Sequence, residues 1–243
     1  MRVTGIDVLQ LVFGGVAGAA AGSLIHSAAT RLPAGLGPFG VPSCPECGTE
    51  LPAVALLPGG PERCPNCGWQ DTLRRRATEL AAAVLTMLAI YGHGATPAGL
   101  AIAAFSLVLL LILRIDWQHH LIYTATIAPG LALALGFAAL RSPSDLLSAT
   151  LGALLAAGIF GLFFALGIVI YHRHALGAGD ILLAGLIGAM TGLDHVFPAI
   201  FIGMLLAAVG GLLLVLLGLR SRRDYIPYGA YLCAGAMLIL LLR

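Results

Sequence analysis

The chain has 243 residues, of which 59% are hydrophobic and 10% charged, with a mean hydropathy of +0.98 and a formal net charge of +2. A soluble domain carries about 25% charged residues, so this composition excludes a water-surrounded globule and identifies an integral membrane protein. The apolar runs are built from Leu, Ala, Ile, Val and Gly without a period of two, which predicts spanning helices and excludes a barrel. All 13 basic residues are arginine, a bias that carries no chemistry by itself.

The first apolar run covers residues 8–29 and is rich in small residues suited to close helix packing. Only Arg2 precedes it, Asp7 interrupts its start, and His26-Ser27-Ala28-Ala29 is a weak cleavage site. It is therefore expected to be a retained helix and not a signal peptide. Residues 30–76 form the one long polar stretch and hold four of the five cysteines. Further spans are predicted at 77–91, 98–113, 121–140, 146–171, 181–193, 196–219 and 228–242. Glu79 is expected in the first turn of the second span, where a carboxylate meets the positive end of the helix dipole. The 181–193 run is short for a crossing, which needs about 20 residues.

The arginines decide the count. With eight spans and the N-terminus outside, Arg31, Arg63, Arg74, Arg75, Arg76, Arg114, Arg173, Arg220, Arg222 and Arg223 are cytoplasmic, and only Arg2, Arg141 and Arg243 are not. That is the direction of the positive-inside rule. A re-entrant 181–193 would move Arg220, Arg222 and Arg223 outside, so a short but complete span is preferred. The expected fold is an all-α polytopic membrane protein of about eight helices. Its expected organisation is a first helix (1–29), a cytoplasmic four-cysteine domain (30–76) and a seven-helix membrane domain (77–243).

Two acids interrupt this apolar background. Asp180 ends Gly177-Ala178-Gly179-Asp180, and Asp116 follows the run that ends at Leu113. An ionisable residue at a membrane boundary is a functional-site hypothesis. Two spans separate the acids, so both lie at one face, and the cysteine domain shares it. Two carboxylates in hydrogen-bond range share a proton; one can then activate water while the other polarises a carbonyl, as in the aspartic proteases. Gly177 and Gly179 would let a substrate backbone approach. The structural alternative makes Asp180 a helix N-cap and Asp116 a solvated loop residue. Asp145 and Asp194 read as turn residues on the opposite face.

Cys44-Pro45-Glu46-Cys47 and Cys64-Pro65-Asn66-Cys67 are paired CPxC knuckles, each followed by glycine and separated by 16 residues. This spacing fits a four-thiolate zinc site. A segment with so little core would depend on the metal for its fold. Disulfides conflict with a cytoplasmic position, and no βαβ pattern supports redox chemistry. Cys233 lies inside the last span and reads as a packing residue.

Taken together, these motifs resemble those of the bacterial type IV prepilin leader peptidases, aspartic proteases of the GxGD type. Gly22-Ser23-Leu24-Ile25-His26 through Arg31-Leu32-Pro33 is similar to the family's first-span end, and the knuckles are similar to its zinc-binding loop. Arg74-Arg75-Arg76-Ala77-Thr78-Glu79 stands where the family has an RYPxxE-like segment, and Ile226-Pro227-Tyr228-Gly229-Ala230-Tyr231 resembles IPFGPYL. Ile115-Asp116 and Gly177-Ala178-Gly179-Asp180 look like the two catalytic motifs, with the acids 64 positions apart. Six motifs in order make chance implausible. Tyr123-Thr124 and Leu182 depart from the family, which has Pro-Asp and Lys there.

The resemblance implies cleavage of prepilins or pseudopilins after a glycine, at the cytoplasmic face of the inner membrane, with Asp116 and Asp180 catalytic. It also implies N-methylation of the new N-terminus with S-adenosylmethionine, for which no binding residue is assigned. The lipid bilayer is the expected surrounding, and no nucleic-acid partner is expected. Two rival readings are a metal-dependent enzyme using His119, His120, His172 and His174 beside the acids, and a non-catalytic pilin assembly factor favoured by the changed Tyr123-Thr124 and Leu182.

Overall fold

A bilayer interior offers no hydrogen-bond partners, so long apolar runs must satisfy their backbone internally, and they do so here as helices. The computed structural model describes residues 8–60, 63–171, 177–218 and 227–243. Among these, eight α-helices follow in chain order: α1 (Val8–Arg31), α2 (Thr72–His93), α3 (Pro97–His119), α4 (Thr124–Arg141), α5 (Pro143–Tyr171), α6 (Ala178–Thr191), α7 (Val196–Leu216) and α8 (Tyr228–Leu242). Short 3-10 turns at Leu32–Ala34 and Ala53–Leu56 and one isolated bridge between Ser43 and Glu50 complete the described elements. The chain is an all-α, multi-pass membrane protein.

Among the described residues, five stretches are long and apolar enough to cross a bilayer: Val8–Ala34, Pro97–His119, Thr124–Arg141, Pro143–Ile170 and Val196–Leu216. The apolar helices α6 and α8 are shorter, at 14 and 15 residues. The α2 helix is long enough, at 22 residues, but opens with Arg74, Arg75, Arg76 and Glu79. His172, Arg173, His174, Arg220, Arg222, Arg223 and Ile226 lie outside the described residues.

Several expected helix boundaries move, and two of them bear on the charged residues. The second helix begins at Thr72, so Glu79 lies beyond its first turn; arginine is a good helix former and carries the helix upstream of the apolar run. The third helix continues to His119, which puts Asp116 inside its last turn instead of in a loop.

The chain divides into two compact units, residues 1–115 and 116–243. In the first, α1 packs on α2 through a glycine stripe. A Cβ at Gly18 would stand 2.7 Å from the Ala82 carbonyl oxygen, and one at Gly22 would stand 2.6 Å from Glu79 Cα. Missing side chains thus let the two backbones touch. Ile25, Ala82 and Leu110 form an apolar cluster there.

The second unit is centred on α6, which touches α4, α5, α7 and α8. A helix apolar on every side belongs in the middle of a bundle, and Leu183, Leu186 and Ile187 are fully buried. Gly188 meets the Gly152 backbone of α5, and Gly235 of α8 meets Gly203 of α7. The Arg243 guanidinium donates to the Met190 and Thr191 carbonyls at 3.4 and 3.3 Å, a cationic cap on the C-terminus of α6.

Candidate active site and metal centre

Both aspartates belong to the second unit, and each is bound to the start of a helix. Asp116 leaves the last turn of α3 and is 4% exposed. Its Oδ2 accepts the Ala230 N–H at 2.7 Å, and the Gly229 N–H also donates to the carboxylate. Those amides belong to the first turn of α8, which starts after Pro227. They are among the donors that a helix leaves without intrahelical partners, so a carboxylate from a distant helix caps α8.

Asp180 is the third residue of α6 and is 6% exposed. Its Oδ2 accepts the Gly177 N–H at 2.9 Å, the reach-back half of a capping box, while its own N–H returns to the Gly177 carbonyl at 3.1 Å. The N-cap is Gly177 rather than Asp180.

Ile122 joins the two neighbourhoods. A Cβ on Gly179 would stand 2.9 Å from Ile122 Cβ, and one on Gly229 would stand 3.1 Å from Ile122 Cδ1 and 3.0 Å from Asp116 Oδ2. The two carboxylates lie within Coulombic reach of each other around this side chain. At Gly179 the space expected to admit a substrate backbone is filled by Ile122, whereas a Cβ on Gly177 would make an ordinary 3.4 Å contact with Asp180 Oδ2. Trp117 and Tyr231, next in sequence to Asp116 and Ala230, meet edge-on at 6.0 Å and brace the same junction. Tyr228 lies within the field of Asp180, and Cys233, fully buried, within that of Asp116.

Ile122 is a neighbour of the acids that the residues gave no reason to single out, and Gly229 and Ala230, which stand in the segment resembling IPFGPYL, were not expected to bind Asp116. The only available signal was the Pro227-Tyr228-Gly229 helix start, which marks unpaired amides without saying what meets them. Of the departures, Leu182 is 46% exposed, and Tyr123 is the N-cap of α4, its carbonyl accepting the Thr126 hydroxyl at 2.7 Å.

In the first unit the two knuckles fold alike. The Cys44 N–H donates to the Thr49 carbonyl at 2.9 Å and the Cys64 N–H to that of Trp69 at 2.8 Å. Gly48 and Gly68 return to the Cys44 and Cys64 carbonyls with positive φ of 72° and 73°, which only glycine adopts freely. The sulfurs of Cys44 and Cys67 are 3.5 Å apart, those of Cys47 and Cys64 3.6 Å, and all four ligand atoms lie within 4.8 Å. A tetrahedral ion with sulfur ligands at about 2.3 Å requires sulfurs about 3.8 Å apart, so the four thiols fit one metal ion. Thr49 holds the Cys47 thiol down to about 6, by its hydroxyl first and then its backbone N–H. The Trp69 N–H favours the Cys67 thiolate, but desolvation and the three neighbouring sulfurs outweigh it and push Cys67 up to about 12. A thiolate at Cys47 beside a protonated Cys67 is the arrangement expected of this pair in a metal-free cluster.

Among the described residues, these cysteines are the one group of three or more His, Cys, Asp or Glu side chains placed to share an ion. His119 and His120 do not join the aspartates in such a group, so the rival metal-enzyme reading gains no support.

A buried ion-pair network ties the four-cysteine segment to the helices. Arg75 Nε donates to Glu79 Oε1 at 2.8 Å, and its Nη2 donates both to Ser23 Oγ at 2.8 Å and to the Leu57 carbonyl at 2.6 Å. Ser23 donates to Glu79 Oε1 at 2.8 Å and Arg76 to Oε2 at 3.1 Å.

The sequence profile of the type IV leader peptidase family matches residues 103–212, a stretch that contains both aspartates. A prepilin leader peptidase/N-methyltransferase of Bacillus subtilis (strain 168) is 29% identical over 241 residues, covering 95% of this chain and 93% of that protein. The chain is thus similar to the type IV leader peptidase family across the stretch that holds both acids. A protein of the same description from Pseudomonas putida is 26% identical over 207 residues, covering 82% of this chain and 70% of the relative. No solved structure gives a significant match.

Proposed function

We propose that this chain is a type IV leader peptidase that cleaves the basic leader from type IV prepilin-like proteins after a glycine, using Asp116 and Asp180 as its catalytic pair. One observation supports the reading: two buried aspartates, 64 positions apart, lie in one helical unit, where the charge of Asp180 acts on Asp116. Backbone N–H groups orient both carboxylates, so little reorganisation is needed when charge develops. One carboxylate takes a proton from water, which attacks the scissile carbonyl while the protonated partner polarises it. Collapse of the tetrahedral species then gives the proton to the departing amine.

The site belongs at the cytoplasmic face of the inner membrane. A basic leader remains on that side while the apolar segment behind it enters the bilayer. Prepilins and pseudopilins fit this substrate class. In the proposed organisation, 1–29 is the first helix, 30–76 the metal domain and 77–243 the peptidase domain. Cys44, Cys47, Cys64 and Cys67 would hold a structural zinc, which would supply most of the folding energy of so small a domain.

N-methylation of the new N-terminus is the second activity, consistent with the relatives' description. A cofactor of the size of S-adenosylmethionine needs a pocket of about 300 Å³ or more. The polar cavity lined by Ser23, His26, Asp71 and Arg75 holds about 40 Å³, and a larger one of about 240 Å³ is lined by Leu11, Val84, Met87, Leu88 and Tyr91. Neither fits the cofactor.

The test is co-expression with a prepilin from the same genome, followed by N-terminal sequencing of the product. Cleavage by the wild type, lost in Asp116→Asn and Asp180→Asn, is expected. An unprocessed leader with the wild type, or cleavage that survives both changes, overturns the peptidase reading.

A further inference from the structure

Residues 32–42, Leu-Pro-Ala-Gly-Leu-Gly-Pro-Phe-Gly-Val-Pro, follow α1 directly and contain no polar side chain. A water-facing loop draws on Ser, Asn, Asp and charged residues; this one has none, yet most of it lies on the surface. Phe39 is 84% exposed, with Val41 at 51% and Leu36 at 44%. Exposed apolar patches of this kind mark interaction surfaces.

The loop's backbone is prepared for a dry environment. Arg31, the last residue of α1, donates Nε to the Gly37 carbonyl at 3.0 Å and its terminal nitrogens to the carbonyls of Phe39, at 3.3 Å, and Val41. Gly40, at φ 149°, leaves room for that guanidinium, with which a Cβ there would collide. The Leu36 N–H returns to the Arg31 carbonyl and the Gly35 N–H to that of Leu32, both at 3.1 Å. Pro33, Pro38 and Pro42 have no N–H to satisfy. One cation thus gathers three carbonyls that would otherwise need water, the condition for placing irregular backbone near lipid.

We propose that this loop is a membrane-interface anchor, with Phe39 at its tip inserted among the lipids and flanked by Leu36 and Val41. The occupant follows from continuity, because the stretch apolar enough to cross the bilayer, Val8–Ala34, runs straight into the loop. A specific protein partner would be met by side-chain donors and acceptors, and 32–42 offers none. Arg31 lies where an arginine at a helix end keeps its charge at the headgroup level. The anchor would fix the metal segment, which begins at Cys44, against the membrane surface.

The test uses the full-length, metal-loaded protein in phosphatidylcholine/phosphatidylglycerol vesicles, with the photo-crosslinking residue p-benzoylphenylalanine in place of Phe39 or, as a control, of the exposed Glu46 in the first knuckle. Irradiation is expected to give a protein–phospholipid adduct by mass spectrometry several times more often at position 39 than at 46. Arg31→Gln in the position-39 protein is expected to lower that yield several-fold with helix content unchanged by circular dichroism. Equal yields at the two positions, no lipid adduct at 39, or an adduct at 39 to a co-reconstituted prepilin in place of lipid would overturn the anchor. An unchanged yield in Arg31→Gln would overturn the part given to the guanidinium.

Discussion

The Asp116 carboxylate accepts the Ala230 N–H at 2.7 Å across 114 positions of sequence. Gly229 makes this approach tolerable, since a Cβ there would press on Asp116 Oδ2 at 3.0 Å and on Ile122 Cδ1 at 3.1 Å. A proposed catalytic group is therefore also the cap of a helix at the other end of its unit, which couples chemistry to folding.

Gly229→Ala is expected to overpack this junction and destabilise the protein by about 1–3 kcal/mol. Prepilin cleavage should fall with it, because the carboxylate is displaced. Ile122→Val removes Cδ1 and should recover part of the lost stability, with the Asp116 contact accounting for the rest. Thermal unfolding in detergent and a cleavage assay on the single and double variants check this.

Gly179→Ala makes a different clash, 2.9 Å from Ile122 Cβ itself. Neither Ile122→Val nor Ile122→Ala removes that atom, so neither should rescue the variant. The same double-variant comparison separates the two glycines: additive losses at Gly179, partial recovery at Gly229. Recovery at Gly179 would mean that the clash lies further out along the side chain.

How far the residues revealed the site depends on the range of each interaction. The metal centre was legible because its signal is local: CPxC followed by glycine dictates a knuckle, and two knuckles dictate four converging thiols. The acids were legible because a carboxylate in an apolar background is conspicuous. Their surroundings were not. The apolar pattern stops at Leu113, whereas the helix runs to His119, because hydropathy reports burial in lipid and not where hydrogen bonding ends. For the same reason the start of α2, at Thr72, precedes its apolar run. The α8 amides that meet Asp116 are backbone groups, present in every residue and distinguished only by tertiary structure.

Breaking the Arg75–Glu79 pair should be costly. Their side chains are 5% and 7% exposed, so Glu79→Ala leaves a buried guanidinium without its carboxylate, a loss of about 3–5 kcal/mol. Replacing both together, as Arg75→Met with Glu79→Leu, should cost less than Glu79→Ala alone. Thermal unfolding of the two proteins decides; an equal or larger loss in the double variant would show that the hydrogen bonds to Ser23 and Leu57, and not charge, carry the network.

The metal cluster provides a pH-dependent signature. After chelator treatment, Cys47, held down to about 6, is a thiolate at neutral pH, while Cys67, pushed up to about 12, stays protonated. Thiolates alkylate and thiols do not. Iodoacetamide modification of Cys47 should therefore rise through pH 6 and level off by neutrality, roughly one unit above its midpoint, while Cys67 remains slow. Thr49→Val removes the hydroxyl that favours the thiolate and should move the Cys47 profile to higher pH. Alkylation of the first cysteine also removes the negative charge that opposes ionisation of its neighbours, so Cys67 should react faster once Cys47 is blocked. Bound metal takes all four lone pairs, and restoring it should protect every position at once. Residue-resolved mass spectrometry across pH reads each of these outcomes, and equal, pH-parallel modification of Cys47 and Cys67 would refute the ordering.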